Sequence, residues 1–209
     1  GTAATSSPSD SEQNWEARLG APPGFVDVTE DSGIDFRHTN GQTGEYEYLE
    51  VMGGGVAAFD YDGDGYLDLY FVNGNRVDGD PDPQVTNRLF RNEGDLRFRD
   101  VTLEAGVGHF GYGQGCAAAD YDDDGDVDLY VTNYGPNALF RNEGDGTFTD
   151  ATEAAGVADG GWGQSVCFFD YDRDGHLDLY VQNYLAIGST MGVEAFINIG
   201  QRRVPDYPS

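Results

Sequence analysis

Short apolar runs recur along the chain, each ending at an aspartate: Val56-Ala-Ala-Phe59 before Asp60, Cys116-Ala-Ala-Ala119 before Asp120, and Val166-Cys-Phe-Phe169 before Asp170. A polar loop follows each run, and then a stretch of alternating character such as Leu67-Asp-Leu69-Tyr-Phe71. Short apolar runs bounded by Gly and Asp, and period-two alternation, predict strands. Each stretch therefore reads as strand, loop, strand. Further along, Asn87-Arg-Leu-Phe-Arg-Asn-Glu-Gly-Asp95 is answered by Asn137-Ala-Leu-Phe-Arg-Asn-Glu-Gly-Asp145. Phe98-Arg-Asp100-Val-Thr102 with Ala105-Gly-Val107 is likewise answered by Phe148-Thr-Asp150-Ala-Thr152 with Ala155-Gly-Val157. A third strand ending at Asn-Glu-Gly-Asp and a fourth starting near Phe98 or Phe148 are predicted. Asp145-Gly146 signals a tight hairpin between them, where the first copy has Asp95-Leu96.

The repeat sets the architecture. Everything from Leu89 to Asp120 matches Leu139 to Asp170 without a gap, so the wider first spacing comes from a surface insertion between Asn73 and Asn87. Phe25-Val-Asp27-Val-Thr29 through Gly33-Ile34 matches the end of a repeat, and Ala195-Phe-Ile-Asn-Ile-Gly200 is a degraded echo of Leu139 to Gly144. The given chain starts and stops mid-repeat. Four-stranded units at this period predict an all-β fold of about three propeller blades, either an incomplete propeller or one completed by oligomerisation. Small residues in each first strand suit the crowded centre where blades converge. Residues 1–23, opening on Gly1-Thr-Ala-Ala-Thr-Ser-Ser-Pro-Ser-Asp10, read as a flexible polar leader or linker, and 24–209 as the repeat domain. A chain of this length buries roughly 70% of its unfolded surface, enough for one core.

The loops carry the chemistry. Residues 60–68 read Asp60-Tyr-Asp62-Gly-Asp64-Gly65-Tyr-Leu-Asp68; residues 120–128 and 170–178 repeat the spacing. Carboxylates at positions 1, 3, 5 and 9, with a backbone carbonyl at 7, supply the hard oxygens that calcium takes, and the glycine at 6 permits the turn. The predicted ligands are Asp60, Asp62, Asp64, Asp68 and the Tyr66 carbonyl; Asp120, Asp122, Asp124, Asp128 and the Asp126 carbonyl; and Asp170, Asp172, Asp174, Asp178 and the His176 carbonyl. About three calcium ions are expected. Position 12, where an EF-hand has its bidentate Glu, holds Phe71, Val131 and Val181, and the flanks are strands. A solvated turn is the plain alternative, but four carboxylates crowded on one point repel one another unless a cation sits among them. Magnesium, with its strict octahedron and retained waters, fits less well.

Taken together, Asp-x-Asp-x-Asp-Gly-x-x-Asp-Leu, Asn-x-Leu-Phe-Arg-Asn-Glu-Gly-Asp and Phe-x-Asp-x-Thr resemble FG-GAP or VCBS-type repeats, the calcium-bearing blades also found in integrin alpha chains. The resemblance covers roughly residues 24 to 185. Glu50-Val-Met-Gly-Gly-Gly-Val-Ala-Ala-Phe-Asp60 is similar, more narrowly, to the bacterial cartilage acidic protein-like (ASPIC/UnbV) group. Such proteins usually have more blades and a further C-terminal domain. The Gly-Ala-Pro of the repeat's name is here Gly115-Cys116-Ala117 and Ser165-Val166-Cys167.

Composition narrows the partners. Formal charge is −27, from 38 acidic residues against 11 basic ones; three dications would bring −27 to −21. Phosphate recognition needs clustered Lys or Arg, so nucleic acid is not an expected partner. No run of 18 apolar residues exists to span a membrane. Modest calcium sites fill where calcium is abundant, so an extracellular or cell-surface (secreted) location is expected. Cys116 and Cys167 are offset by one residue in the repeat, so their thiols either face each other across a blade interface or point apart. Asp78-Gly-Asp80-Pro-Asp82 offers a fourth acidic cluster without the Gly or distal Asp that would complete a site. Tyr61, Tyr121 and Tyr171 read as packing residues, and His38, His109 and His176 form no catalytic pattern.

These features predict a non-enzymatic, calcium-binding extracellular module for adhesion or self-assembly, the subunit of a ring or filament joined through open blade edges. The alternatives are a carbohydrate-binding module, with Trp162 in Gly161-Trp-Gly163 stacking on sugar, and an accessory fragment of a larger secreted enzyme. The identity of a protein or glycan ligand, and whether the chain is whole, stay open at this level.

Overall fold

The computed structural model describes residues 27–44, 48–76, 80–184 and 197–198. Three antiparallel sheets follow one another along the chain. The first orders β1 (Val56–Phe59), β2 (Asp68–Phe71), β3 (Arg88–Asn92) and β4 (Phe98–Asp100) as neighbours. The second repeats this meander with β5 (Tyr112–Ala119), β6 (Asp128–Tyr134), β7 (Ala138–Asn142) and β8 (Phe148–Asp150). The third has β9 (Gly163–Phe169), β10 (Asp178–Asn183) and β11 (Ile197–Asn198), in the order β11-β10-β9. The sheets are open at their edges and close no barrel. They are blades, as the repeat predicts.

A single helical turn, α1 (Thr29–Ser32), precedes the first sheet, and two more, α2 (Thr102–Ala105) and α3 (Thr152–Ala155), link one sheet to the next. In each, an aspartate two residues earlier accepts the threonine N–H, Asp27 from Thr29, Asp100 from Thr102 and Asp150 from Thr152. Each turn ends at a glycine with positive φ, Gly33, Gly106 or Gly156, which stops the helix without a Cβ penalty. The N-terminal half-repeat expected from Asp27 to Ile34 is thus built like the ends of the full repeats. Its leading Phe25 lies outside the described residues.

Side-chain alternation gives each blade two apolar faces. Leu129 and Val131 of β6 pack with Phe59, Tyr70, Val72 and Leu89 of the first blade. Tyr130, between them, points the other way and packs with Val166, Phe168 and Val181 of the third. Buried branched and aromatic side chains at period two thus hold one blade to the next. The first strands approach closely: a Cβ on Gly55 would lie 2.9 Å from the Gly115 Cα, and one on Gly115 2.6 Å from the Gln164 carbonyl oxygen. Both thiols are free. Cys116 packs in the interface of the first two blades, which pushes its pKa up to about 12 by burial, and Cys167 is exposed. The two point apart.

The register of β11 differs from that of β7. Gln182 pairs with Ile197 and Val181 with Asn198, whereas the echo of β7 would set Asn198 opposite Leu177.

The β3–β4 hairpin stores strain that its copy avoids. Asp95 and Leu96 adopt φ of 52° and 57°, whereas Gly146 takes the position of Leu96 in the second blade. A left-handed conformation costs a non-glycine residue about 1–2 kcal/mol, against roughly 0.5–1 kcal/mol for the greater freedom glycine loses on folding. Leu96 is exposed and contributes no core contact. Leu96→Gly should therefore raise stability by about 0.5–1 kcal/mol in chemical denaturation, and Gly146→Leu should lower it.

Candidate metal centres

The strand register places all three loops alike. Phe59 pairs with Asp68, Ala119 with Asp128 and Phe169 with Asp178, so each acidic loop closes one hairpin and its ninth residue begins the second strand. Local hydrogen bonds then fold the loop inward. Asp60 accepts the N–H groups of Asp64 (3.1 Å) and Gly65 (2.8 Å), and Asp120 accepts those of Asp124 and Gly125. Asp170 accepts from Asp174 and Gly175, and from Arg173 as well. The N–H groups of Tyr66, Asp126 and His176 go to Asp64, Asp124 and Asp174. Position 6 is Gly65, Gly125 or Gly175, each with φ near 90°.

The ninth aspartate is the anchor. Asp68 and Asp128 are fully buried at the root of their loops. One oxygen of Asp128 accepts the Tyr121 N–H (3.0 Å) and the other the Asn142 N–H (2.8 Å); Asp68 does the same with Tyr61 (3.0 Å) and Asn92 (2.7 Å). Sequence reading assigns no role to Asn92 and Asn142, although their recurrence in Arg-Asn-Glu-Gly-Asp was the available signal. Each also donates its side-chain amide to a loop carbonyl, Leu67 or Val127. Asn142 donates in addition to the Tyr61 carbonyl of the first loop, at 2.8 Å.

Three carboxylates converge in every loop. Oxygens of Asp60, Asp62 and Asp68, of Asp120, Asp122 and Asp128, and of Asp170, Asp172 and Asp178 lie within 4.8 Å of one another. The predicted fifth-position ligands Asp64, Asp124 and Asp174 stand outside these triplets. Asp64 is instead paired with Arg91 at 3.0 Å, and the same guanidinium lies 2.8 Å from Asp62. The Tyr66 N–H and the Arg91 guanidinium hold the Asp64 carboxyl below its usual range. The other oxygen of Asp62, and one oxygen of Asp122, are buried without a hydrogen-bond partner among the described residues. A buried acceptor left unpaired is costly. A hard cation is the partner this donor set fits, and three Asp clusters of this kind could hold one metal ion each.

The three loops are not equally enclosed. The first two triplets are half-buried with a buried ninth aspartate; in the third, Asp170 and Asp172 are exposed. Tyr61 and Tyr121 are packed as expected, Tyr61 stacking on Phe148 with ring centroids 6.2 Å apart. Tyr171 departs from that expectation at 54% exposure, because among the described residues no following blade covers it. The His176 ring sits 2.7 Å from Asp123 and ties the third loop to the second.

Two further expectations are revised or bounded. Trp162 does not present a platform for sugar: it is 7% exposed, enclosed by Tyr48, Tyr134 and Tyr184 and clustered with the buried Leu49 and Tyr112. In the insertion, Asp80 is exposed, the Asp82 backbone is held by the buried Asn75 side chain, and Asp78 lies outside the described residues.

Burial pushes the Asp128 carboxyl up to about 7, with the neighbouring carboxylates Asp122 and Asp124 adding to the shift against two backbone hydrogen bonds. Asp68 and Asp122 are raised for the same leading reason. A carboxyl that holds its proton more tightly folded than unfolded favours the metal-free fold at low pH. That contribution is lost as pH rises from about 4, the unfolded value, to about 7. Metal binding must expel the proton. Calcium titrated calorimetrically, in buffers of different ionisation enthalpy, should release more protons and bind more weakly at about pH 6 than at about pH 8.

Among the described residues, no helix is long and apolar enough to cross a membrane. No curated protein matches the chain. The family model of the FG-GAP-like repeat matches twice, over residues 60–131 and 120–181, each match beginning at the first aspartate of one loop and running past the next. With three loops in one register, each joining the first two strands of a blade, the chain belongs to the FG-GAP-like repeat family.

Proposed function

We propose that this chain is a non-enzymatic, calcium-binding extracellular repeat module that serves adhesion or self-assembly. FG-GAP-like repeats are commonly adhesion modules of extracellular proteins and typically lack enzymatic activity, which supports the class. The observation that carries the calcium reading is the threefold Asp triplet, with a buried and unpaired oxygen on Asp62 and on Asp122. In this reading Asp60, Asp62 and Asp68 hold the first ion, Asp120, Asp122 and Asp128 the second, and Asp170, Asp172 and Asp178 the third. Asp64, Asp124 and Asp174 complete each shell together with the carbonyls of Tyr66, Asp126 and His176. Residues 24–209 act as one repeat domain behind a polar leader, and the narrower kinship is with the VCBS and ASPIC/UnbV groups.

Calcium in this role is structural. It neutralises carboxylates that the fold has already brought together, and so favours the folded chain by mass action, about 2.7 kcal/mol per site at a hundredfold excess over Kd. Removing calcium should lower the thermal midpoint substantially; an unchanged midpoint in chelator contradicts the reading. Asp122→Ala should abolish one site and leave two, and Asp126→Ala should leave three, because only its carbonyl is a ligand. Calcium stoichiometry measured by calorimetry separates these outcomes.

A further inference from the structure

An unbroken run of buried hydrogen bonds joins the first two aspartate loops. Asp68 of the first loop accepts the Tyr61 N–H at 3.0 Å, and the Tyr61 carbonyl accepts the Asn142 side-chain amide at 2.8 Å. The Asn142 backbone N–H goes on to Asp128 of the second loop, also at 2.8 Å. All four residues are buried. One asparagine, 81 residues along the chain from Tyr61, thus stands between the anchors of two candidate sites.

The Asn142 side chain has little freedom left. Its amide donates to two carbonyls, Tyr61 and Val127, and its oxygen accepts the Gly144 N–H, so both donor hydrogens are in use. Tyr61 is held as firmly from its own side. It lies between Asp60 and Asp62, and its ring stacks on Phe148, the residue that pairs with Asn142 across β7 and β8. The backbone and the ring of one residue in the first loop are therefore fixed by two paired residues of the next blade. The second and third loops meet differently, through an exposed contact of the His176 ring with Asp123.

We propose that the first two loops fill with calcium cooperatively, coupled through the Asn142 side chain: an ion in the loop of Asp60 strengthens binding in the loop of Asp120, and the reverse by the same factor. The coupling deepens the calcium reading above and rests on it. An ion in the first loop fixes Asp60 and Asp62, and with them the Tyr61 carbonyl between. A fixed carbonyl is a better-placed acceptor for Asn142, whose ordering settles Val127 and Asp128 at the root of the second loop. The second ion then has less left to order, which is the condition for positive cooperativity without any change of fold. Electrostatics do not oppose it. Each loop brings three carboxylates together, so a dication leaves the filled site net negative and does not turn a second ion away from its neighbour. Coupled filling sharpens the response of the first blade interface to calcium concentration.

Calorimetric calcium titration of the 209-residue chain carrying Asp172→Ala, which removes the third site, tests this. Adding Asp122→Ala leaves the first site alone, and adding Asp62→Ala instead leaves the second alone. The product of the two association constants measured together should exceed the product of those measured singly about fivefold or more, the lower end of ordinary coupling. Asn142→Ala should bring that ratio to about one. Asn92 makes the matching bonds within its own blade, to the Leu67 carbonyl and from the Gly94 N–H. Asn92→Ala should therefore weaken the first site and leave the ratio intact, which separates coupling from local support. Asn142→Ser replaces Asn142→Ala if the latter unfolds. Hydrogen exchange needs neither variant: with only the first site able to fill, calcium should slow exchange at the Asn142 backbone amide more than at amides of β10, which a general gain in stability would slow alike. A chain that binds no calcium overturns the calcium reading and the coupling together. Two ions bound independently, a ratio that survives loss of the Asn142 amide, or exchange at Asn142 that calcium in the first loop leaves unchanged keeps the calcium reading and overturns the coupling.

Discussion

A buried carboxylate at the start of the second strand of each blade organises most of this structure. Asp128, wholly removed from water, receives one N–H from the loop it closes and another from the third strand, so a single side chain ties loop, second strand and third strand together. Two neutral donors offset part of its desolvation, and its pKa still rises. The remaining imbalance is negative charge concentrated among the converging aspartates of the loop. The Arg91 guanidinium partly answers the need in the first loop. A calcium ion at each triplet, as proposed, would remove the same imbalance in all three and would make the loop, rather than the strands alone, the rigid corner of the blade.

From that corner the order passes to the neighbouring blade. Tyr61 hands its backbone N–H to Asp68, its carbonyl to Asn142 and its ring to Phe148, so the first loop is clamped by residues of the second blade. Metal site and blade interface are therefore parts of one construction. The third loop has the same internal bonds but an exposed tyrosine and exposed carboxylates. Enclosure comes from the next blade, and the calcium affinities of the three loops are expected to follow it.

Much of this was legible in the chain, and the reasons for the rest are physical. Strand-loop-strand units, the four-stranded blade and the converging glycines follow from local pattern, because alternation and turn chemistry act over a few residues. The first, third and ninth aspartates were legible by spacing. What pattern missed depends on distant partners. Asn87 and Asn137 open a repeated motif to which pattern gave no role, yet they are buried and accept the backbone N–H groups of Asn73 and Asn133. Asn142 caps a carbonyl in another blade, and Trp162 is enclosed by residues from three separate segments. The echo of β7 in residues 195–200 carried no register, and β11 sets Asn198 opposite Val181 where the pattern of β7 would set it opposite Leu177.

Anomalous scattering from crystals grown in millimolar calcium addresses the central claim most directly. The account predicts three calcium peaks per chain, one inside each aspartate triplet, bounded by Asp60, Asp62 and Asp68 and their equivalents, with the weakest at the loop of Asp170. Triplets that stay without a peak under those conditions, or peaks confined to other acidic surfaces, would contradict it.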